Sequence, residues 1–343
     1  MPANPRLRLL HAATTALALL LAPALSRAET WVFKDWAVTC DNTRDCEAVG
    51  FQSEHGGSAP VALWVARDAG RGGNIRGRVN VQSTSQPPGG HTRLVMDDGT
   101  AVEQEDGEDL AAAPFRKLLP HLLEAGSVDV FRGKERFVLS LDGFKAAMLK
   151  VDDLQGRIGT PGALVRKGTR SEAGVPPELP APIAHPAVAW QNKSTDDALL
   201  QVLSAKVGTT CPLKASSALD APNIKLHRVA ATQVIVLREC ERRAFESGYA
   251  AWLVDDKPPY AARRLKFPRV DTEPVDLVAD AEFDDDELRS VGKNDAGDHC
   301  GDDAFWAWTG QAFELTSAHA APLCRGFDGG GFAITTFQTR DPK

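Results

Sequence analysis

Six cysteines are the residues of this chain most able to do chemistry: Cys40, Cys46, Cys211, Cys240, Cys300 and Cys324. An even number in a chain that opens like an exported one pairs into disulfides by default. Pairing neighbours along the chain gives Cys40–Cys46, Cys211–Cys240 and Cys300–Cys324. A zinc site needs close Cys-x-x-Cys or Cys-x-x-His pairs, and a dithiol redox enzyme needs Cys-x-x-Cys. Neither spacing occurs, and His299 stands beside Cys300 without a second ligand pair.

Other groups offer binding chemistry. Arg67, Arg71, Arg76, Arg78 and Arg93 concentrate positive charge in one region of an acidic chain. They read either as an anion-binding face, for a sugar acid or a phospholipid head group, or as a solvated sheet face with a protected edge. Arg67, Arg76 and Arg78 are the anion-site candidates. Asp284, Asp286, Asp295 and Asp298 lie in a strongly acidic stretch whose oxygens suit calcium, although the spacing is not that of an EF-hand loop. A solvated acidic loop is the other reading. Trp306 and Trp308 fall on one face of a strand and, with Phe313, could stack a ring ligand such as a sugar or pack as core. Gly70-Arg71-Gly72 begins like a dinucleotide loop, but the third glycine position is Ile75 and the segment lies between strands. No Gly-x-Ser-x-Gly elbow, His-Glu-x-x-His motif, Walker loop or kinase set occurs. No catalytic residue, resident metal or cofactor is therefore assigned. Paired carboxylates for glycoside hydrolysis would be invisible in a sequence this rich in acids.

The elements that must position these groups begin after an export signal. Arg6 and Arg8 precede an uncharged apolar run, 12–25, and then Ser26-Arg27-Ala28, the three-part secretory pattern. The run is short of the about 20 residues a membrane span takes. Cleavage after Ala28 is expected, leaving a periplasmic or secreted chain from Glu29 with no membrane span. Loss of Arg6, Arg8 and Arg27 leaves 36 basic against 46 acidic residues. That balance argues against a nucleic-acid partner, which needs a positive face.

Beyond the signal, residues 31–40 (WVFKDWAVTC) read as a strand. Val61, Leu63 and Val65 alternate on a second, followed by a glycine-rich turn and a third. Residues 94–102 read as a hairpin about Asp98-Gly99. Pro114 opens a helix with Phe115, Leu118, Leu119 and Leu122 on one face. A hairpin then turns at Arg132-Gly133-Lys134, and a second helix runs from about Gly143 to Gln155. Five prolines between 174 and 186 mark an extended linker. A third helix follows, capped by Ser194 or Thr195, with Leu199, Val202 and Leu203 inward. Strands are expected over 232–240, 247–255 and 332–338, with a hairpin about Thr309-Gly310. The fold class is mainly β with a few helices (α+β). The organisation is a signal peptide at 1–28, a β-rich domain at 29–167, a Pro-rich linker at 168–189 and a disulfide-stapled β-rich domain at 190–343.

Three stretches carry a family resemblance: KDWAVTCDNTRDCEA (34–48), LSLDGFKAAMLKVDDLQGRIGTPGAL (139–164), and HCGDDAFWAWTGQAFELT with Cys324-Arg325-Gly326. Together they resemble the six-cysteine exported bacterial domain-of-unknown-function family 1176. The first two also resemble the invasion-associated locus B domain. The resemblance implies no catalytic residues. The expected function is non-catalytic binding of an envelope component or a periplasmic protein. The alternatives are a hydrolase of envelope polysaccharide and a periplasmic inhibitor or immunity-type protein.

Overall fold

The computed structural model describes residues 29–82, 91–104, 109–215, 221–270, 272–293, 300–323, 325–327 and 331–340. The signal segment 1–28, Asp295, Asp298 and Cys324 lie outside the described residues. Alternating apolar residues and Gly- or Asp-containing turns dominate the sequence, and the chain is mainly β. All the strand pairings among the described residues but one are antiparallel; the two-residue β10 runs parallel to its partner.

The first sheet is a meander of β1 (Trp31–Phe33), β2 (Trp36–Cys40), β3 (Cys46–Phe51), β4 (Val61–Arg67) and β5 (Ile75–Val81). The single strand expected over 31–40 is in fact a hairpin. Lys34 takes a left-handed φ of 56°, which brings Phe33 opposite Trp36. The second sheet has β6 (Thr92–Val95), β7 (Ala101–Glu103), β8 (Ser127–Arg132) and β9 (Glu135–Ser140), in the order β7-β6-β8-β9. Against the first sheet pack α1 (Ala112–Leu122), which also meets β7 and buries its expected face, and α2 (Phe144–Leu154), which buries Phe144, Ala147, Met148 and Val151. Gly143 starts α2 at φ +99°, where a Cβ would lie 1.8 Å from the carbonyl oxygen of Phe33. Only glycine fits there.

In the second half come α3 (Asp196–Gly208), β10 (Lys214–Ala215), β11 (Ile224–Ala230), β12 (Gln233–Arg242), β13 (Ser247–Asp255) and β14 (Ala262–Arg264). A hairpin of β15 (Phe267–Arg269) and β16 (Thr272–Val275) and the short β17 (Val278–Ala279) follow. A last meander runs through β18 (Glu282–Asp284), β19 (Glu287–Val291), β20 (Asp303–Trp308), β21 (Phe313–Ala320) and β22 (Ile334–Gln338). In α3, Leu203 and Val207 are buried, whereas Val202, expected inward, is exposed. The cap also differs. Neither Ser194 nor Thr195 accepts a capping bond through its side chain; Asp196 instead accepts from the backbone N–H of Lys193 at 2.7 Å.

Two disulfides are fully described. Cys40–Cys46 joins register partners of β2 and β3, and Cys211–Cys240 ties the segment after α3 to β12. Cys300 is also disulfide-bonded; Cys324, its expected partner, lies outside the described residues. The proline-rich segment is laid along both halves. Leu179 donates to Thr43, Ala184 to Arg340 and Ala187 to Trp308. Among the described residues no helix is long and apolar enough to cross a membrane.

Candidate functional site

Arg67 ends β4, and its register partners, Cys46 on β3 and Ile75 on β5, offer it no acid. It is nevertheless 6% exposed. One terminal nitrogen, Nη2, donates to the carbonyl of Gly162 at 2.7 Å, and Nε is buried with no acceptor. Burial first, then the positive charge of Arg157, lowers its pKa to about 10; the negative charges of Asp152 and Glu172 offset part of this, and Arg116 adds a smaller lowering. A cation held out of water beside like charges is costly, and an anionic ligand relieves that cost.

The loop after α2 builds the surroundings. Arg157, fully buried, donates through Nε to Gln155 at 2.9 Å and through Nη2 to the carbonyls of Asp68 and Gly70; its Nη1 finds no acceptor. The buried Asp152 accepts from the backbone N–H groups of Leu164 and Val165 at 2.8 Å each. Gln155 donates to the carbonyls of Arg44 and Arg67. These bonds lash the loop to the turn between β4 and β5, so the pocket between them is preformed.

The pocket measures about 320 Å³. Arg67, Arg116 of α1, Lys167 and Glu172 supply its charge. Gly72, Gly73 and Asn74 give it a polar rim, and Ile75, Leu119, Leu123 and Pro161 an apolar wall. Among the described residues Arg116, Lys167 and Glu172 form no ion pair and no side-chain hydrogen bond, although the charge of Glu172 acts through space on Arg67 and Arg157. Gly162 separates the two signs: a Cβ there would lie 2.0 Å from Glu172 Oε1.

The other expected candidates lie elsewhere. Arg76 pairs with Asp68 at 2.8 Å, and Arg78 with Asp109 at 2.6 Å while its guanidinium stands 5.0 Å from the Trp64 ring. The three arginines do not converge, because Arg76 and Arg78 are spent on their own acids. Arg93 lies over the Phe131 ring. Trp306 is fully buried, donates its indole N–H to Pro268 at 2.7 Å and packs on Phe267; Trp308 packs edge-on to Phe313. Both indoles are core, which leaves no open face for a ring ligand. Asp284 pairs in register with Glu287, and Asp286 lies 3.7 Å from His227. No group of three His, Cys, Asp or Glu suited to a metal occurs among the described residues.

Arg116, Arg157, Lys167 and Glu172 escape a reading of the sequence, since nothing local to any of them marks it as a neighbour of Arg67. The one legible signal is the run QGRIGTPGAL (155–164), whose glycines, proline and lone arginine mark a specially built loop.

These features define a class: a mainly antiparallel, disulfide-bonded β protein with a preformed pocket rich in charge. The chain belongs to the family described as "Protein of unknown function (DUF1176)", whose model matches residues 30–340. That is the family its three motif stretches suggest. An uncharacterized protein, YpfG, of Escherichia coli (strain K12) is 26% identical over 334 residues, covering 90% of this chain and 92% of its own. A crystal structure of invasion associated protein B from Bartonella henselae matches 38% of this chain and 99% of its own, at 15% identity and a TM-score of 0.28.

Proposed function

We propose that this chain is a non-catalytic, envelope-associated binding protein, periplasmic or secreted after cleavage near Ala28, that takes an anionic group of an envelope component in the Arg67 pocket. The observation that carries the reading is the buried guanidinium of Arg67, whose Nε has no acceptor. Disulfides support an extracytoplasmic place, because cytosolic thiols stay reduced. Among the described lining residues Glu172 is the one carboxylate, and Ser, Cys and His are absent. Glycoside hydrolysis uses two carboxylates, so binding is favoured over the hydrolase alternative at this pocket. The planar fork of an arginine and an apolar wall suit a carboxylate on an aliphatic body.

Titration calorimetry with 4-methylpentanoate tests the reading. The intact protein gives a saturable isotherm. Arg67→Met weakens binding by about tenfold or more, a change of ~1.4 kcal/mol. Arg116→Ala, at an exposed position, weakens it several-fold without disturbing the fold. No saturable heat with the intact protein, or an unchanged affinity in both variants, overturns the proposal.

A further inference from the structure

The same pocket holds a charge of the opposite sign, and its placement carries a statement about ligand class. Arg67 Nη2 reaches the carbonyl of Gly162 at 2.7 Å, while the carboxylate of Glu172 fills the space where that residue's side chain would begin. Guanidinium and carboxylate thus flank one glycine without closing an ion pair. Arg67 is fixed there by burial and by its bond to Gly162. Glu172 is held by a 3-10 turn, Glu172–Gly174, that begins at Ser171, whose hydroxyl accepts from the backbone N–H of Ala173. A pocket built solely for an anion gains nothing from a carboxylate in its wall, since like charges across a partly dry site repel.

We propose that the pocket binds a zwitterion of the α-amino-acid class. Its carboxylate lies between Arg67 and Arg116, its ammonium group faces Glu172, and its aliphatic side chain lies against Leu119, Leu123 and Ile75. The inference rests on the anion-binding reading of the pocket and adds to it the second charge and the apolar body. The volume of about 320 Å³ is at the lower end of small-molecule sites, consistent with a single residue or a short peptide terminus. Two fixed charges of opposite sign also discriminate. A ligand that lacks either charge leaves one of them desolvated and unpaired.

Calorimetry on the full-length mature protein separates this inference from the reading beneath it. The probes are L-leucine, 4-methylpentanoate, which lacks the ammonium group, and 3-methylbutylamine, which lacks the carboxylate. L-Leucine is expected to bind about tenfold tighter than 4-methylpentanoate, with the amine and inorganic phosphate weaker still. Glu172→Gln is expected to remove that advantage, weakening L-leucine by about tenfold while leaving 4-methylpentanoate unchanged or tighter. Gly162→Ala, which displaces the Glu172 carboxylate, is expected to act in the same direction. If 4-methylpentanoate binds, Arg67→Met weakens that binding about tenfold or more, and L-leucine is no tighter or is indifferent to Glu172→Gln, the zwitterion class is wrong and the anion pocket stands. If no carboxylate binds and the Arg67 variant is indistinguishable from the parent, both readings fall.

Discussion

At the scale of single residues, the charges that matter are those whose surroundings were arranged for them. Glu239 is buried and accepts from Arg242 Nη2 at 2.6 Å and Nε at 2.7 Å, from the Ser247 hydroxyl at 2.7 Å and from the backbone N–H of Asn223 at 2.9 Å. The Arg242 bonds, set against burial, hold its pKa at about 2, below the ordinary 4.5. A depressed carboxylate pKa stabilises the fold above the unfolded value and loses that contribution as pH falls through the folded one. Urea unfolding between pH 6 and pH 2 is therefore expected to show the parent losing roughly 2–3 kcal/mol relative to Glu239→Gln, most of it below pH 4.5. Equal pH slopes in the two proteins would remove Glu239 as an acid-sensitive anchor. The Arg67 site is the opposite case, a buried cation with a lowered pKa whose Nη2 bonds a carbonyl and whose Nε has no acceptor. Its existence as an arginine after an apolar strand was legible, but its burial was not. That burial depends on Gly162, 95 residues away, and nothing local to Arg67 announces such a partner.

At the scale of elements, alternation and turn chemistry were legible wherever a strand or helix has one wet face. The hairpin at Arg132-Gly133-Lys134 and the buried stripe of α1 both follow from period and punctuation. Strand β4 was legible from Val61, Leu63 and Val65, but its second buried face was not. Val61, Leu63 and Val65 face one core, yet Ala62, Trp64 and Ala66 are buried too, against Phe327 and Ile334. In a strand covered on both sides both sets of alternate residues are apolar, and period alone does not reveal the second cover. Two of the family stretches also prove to be one packing unit. Trp36 sets its ring 4.5 Å from Phe144 and donates to the carbonyl of Ser140, and Lys34 pairs with Asp142. Helix α3 is docked differently, by an ion pair. Arg228, 1% exposed, reaches Asp196 through Nη2 at 2.6 Å and through Nε at 3.0 Å, and Asp256 at 3.0 Å. Removing Asp196 takes the two-bonded partner from a buried cation and leaves Asp256 as its remaining acid, so Asp196→Ala is expected to cost about 2–3 kcal/mol, short of the roughly 3–5 kcal/mol of a fully broken pair. Replacing Asp196 and Arg228 together, Asp196→Leu with Arg228→Met, is expected to recover much of that, because apolar substitutes of similar volume avoid desolvation and Asp256 keeps Lys193 at 3.3 Å. Chemical denaturation of the two variants decides. A double variant as unstable as the single one would mean the charges themselves, not their pairing, hold the helix.

At the scale of the whole molecule, the two halves meet through the chain's last strand. β22 pairs with β21, and its Ile334, with Phe327, seals the outer face of the first sheet over Ala37, Val49, Phe51, Ala62, Trp64 and Ala66. Around that seam Arg325 pairs with Asp35 at 3.0 Å, Glu47 accepts from the backbone N–H of Thr335 at 2.7 Å, and Gln338 donates its backbone N–H to Asn42 at 2.9 Å. The third family stretch thereby reaches the first: Arg325, from Cys324-Arg325-Gly326, closes on Asp35 of the Asp-Trp pair. A division into 29–167 and 190–343 about the proline-rich segment, which we propose as the domain organisation, must therefore pass through a buried apolar seam of core quality. Truncating both Phe327 and Ile334 to alanine removes the two buried plugs that the C-terminal side contributes. Each such change typically costs about 2–5 kcal/mol, and neighbours in one cluster do not simply add. Calorimetry is expected to show one transition in the parent and two in the double variant, the half that carries the opened first sheet melting earlier. A single transition merely shifted to lower temperature would mean that β-sheets on both sides of the prolines fold as one cooperative unit, and that the proposed boundary separates sequence without separating stability.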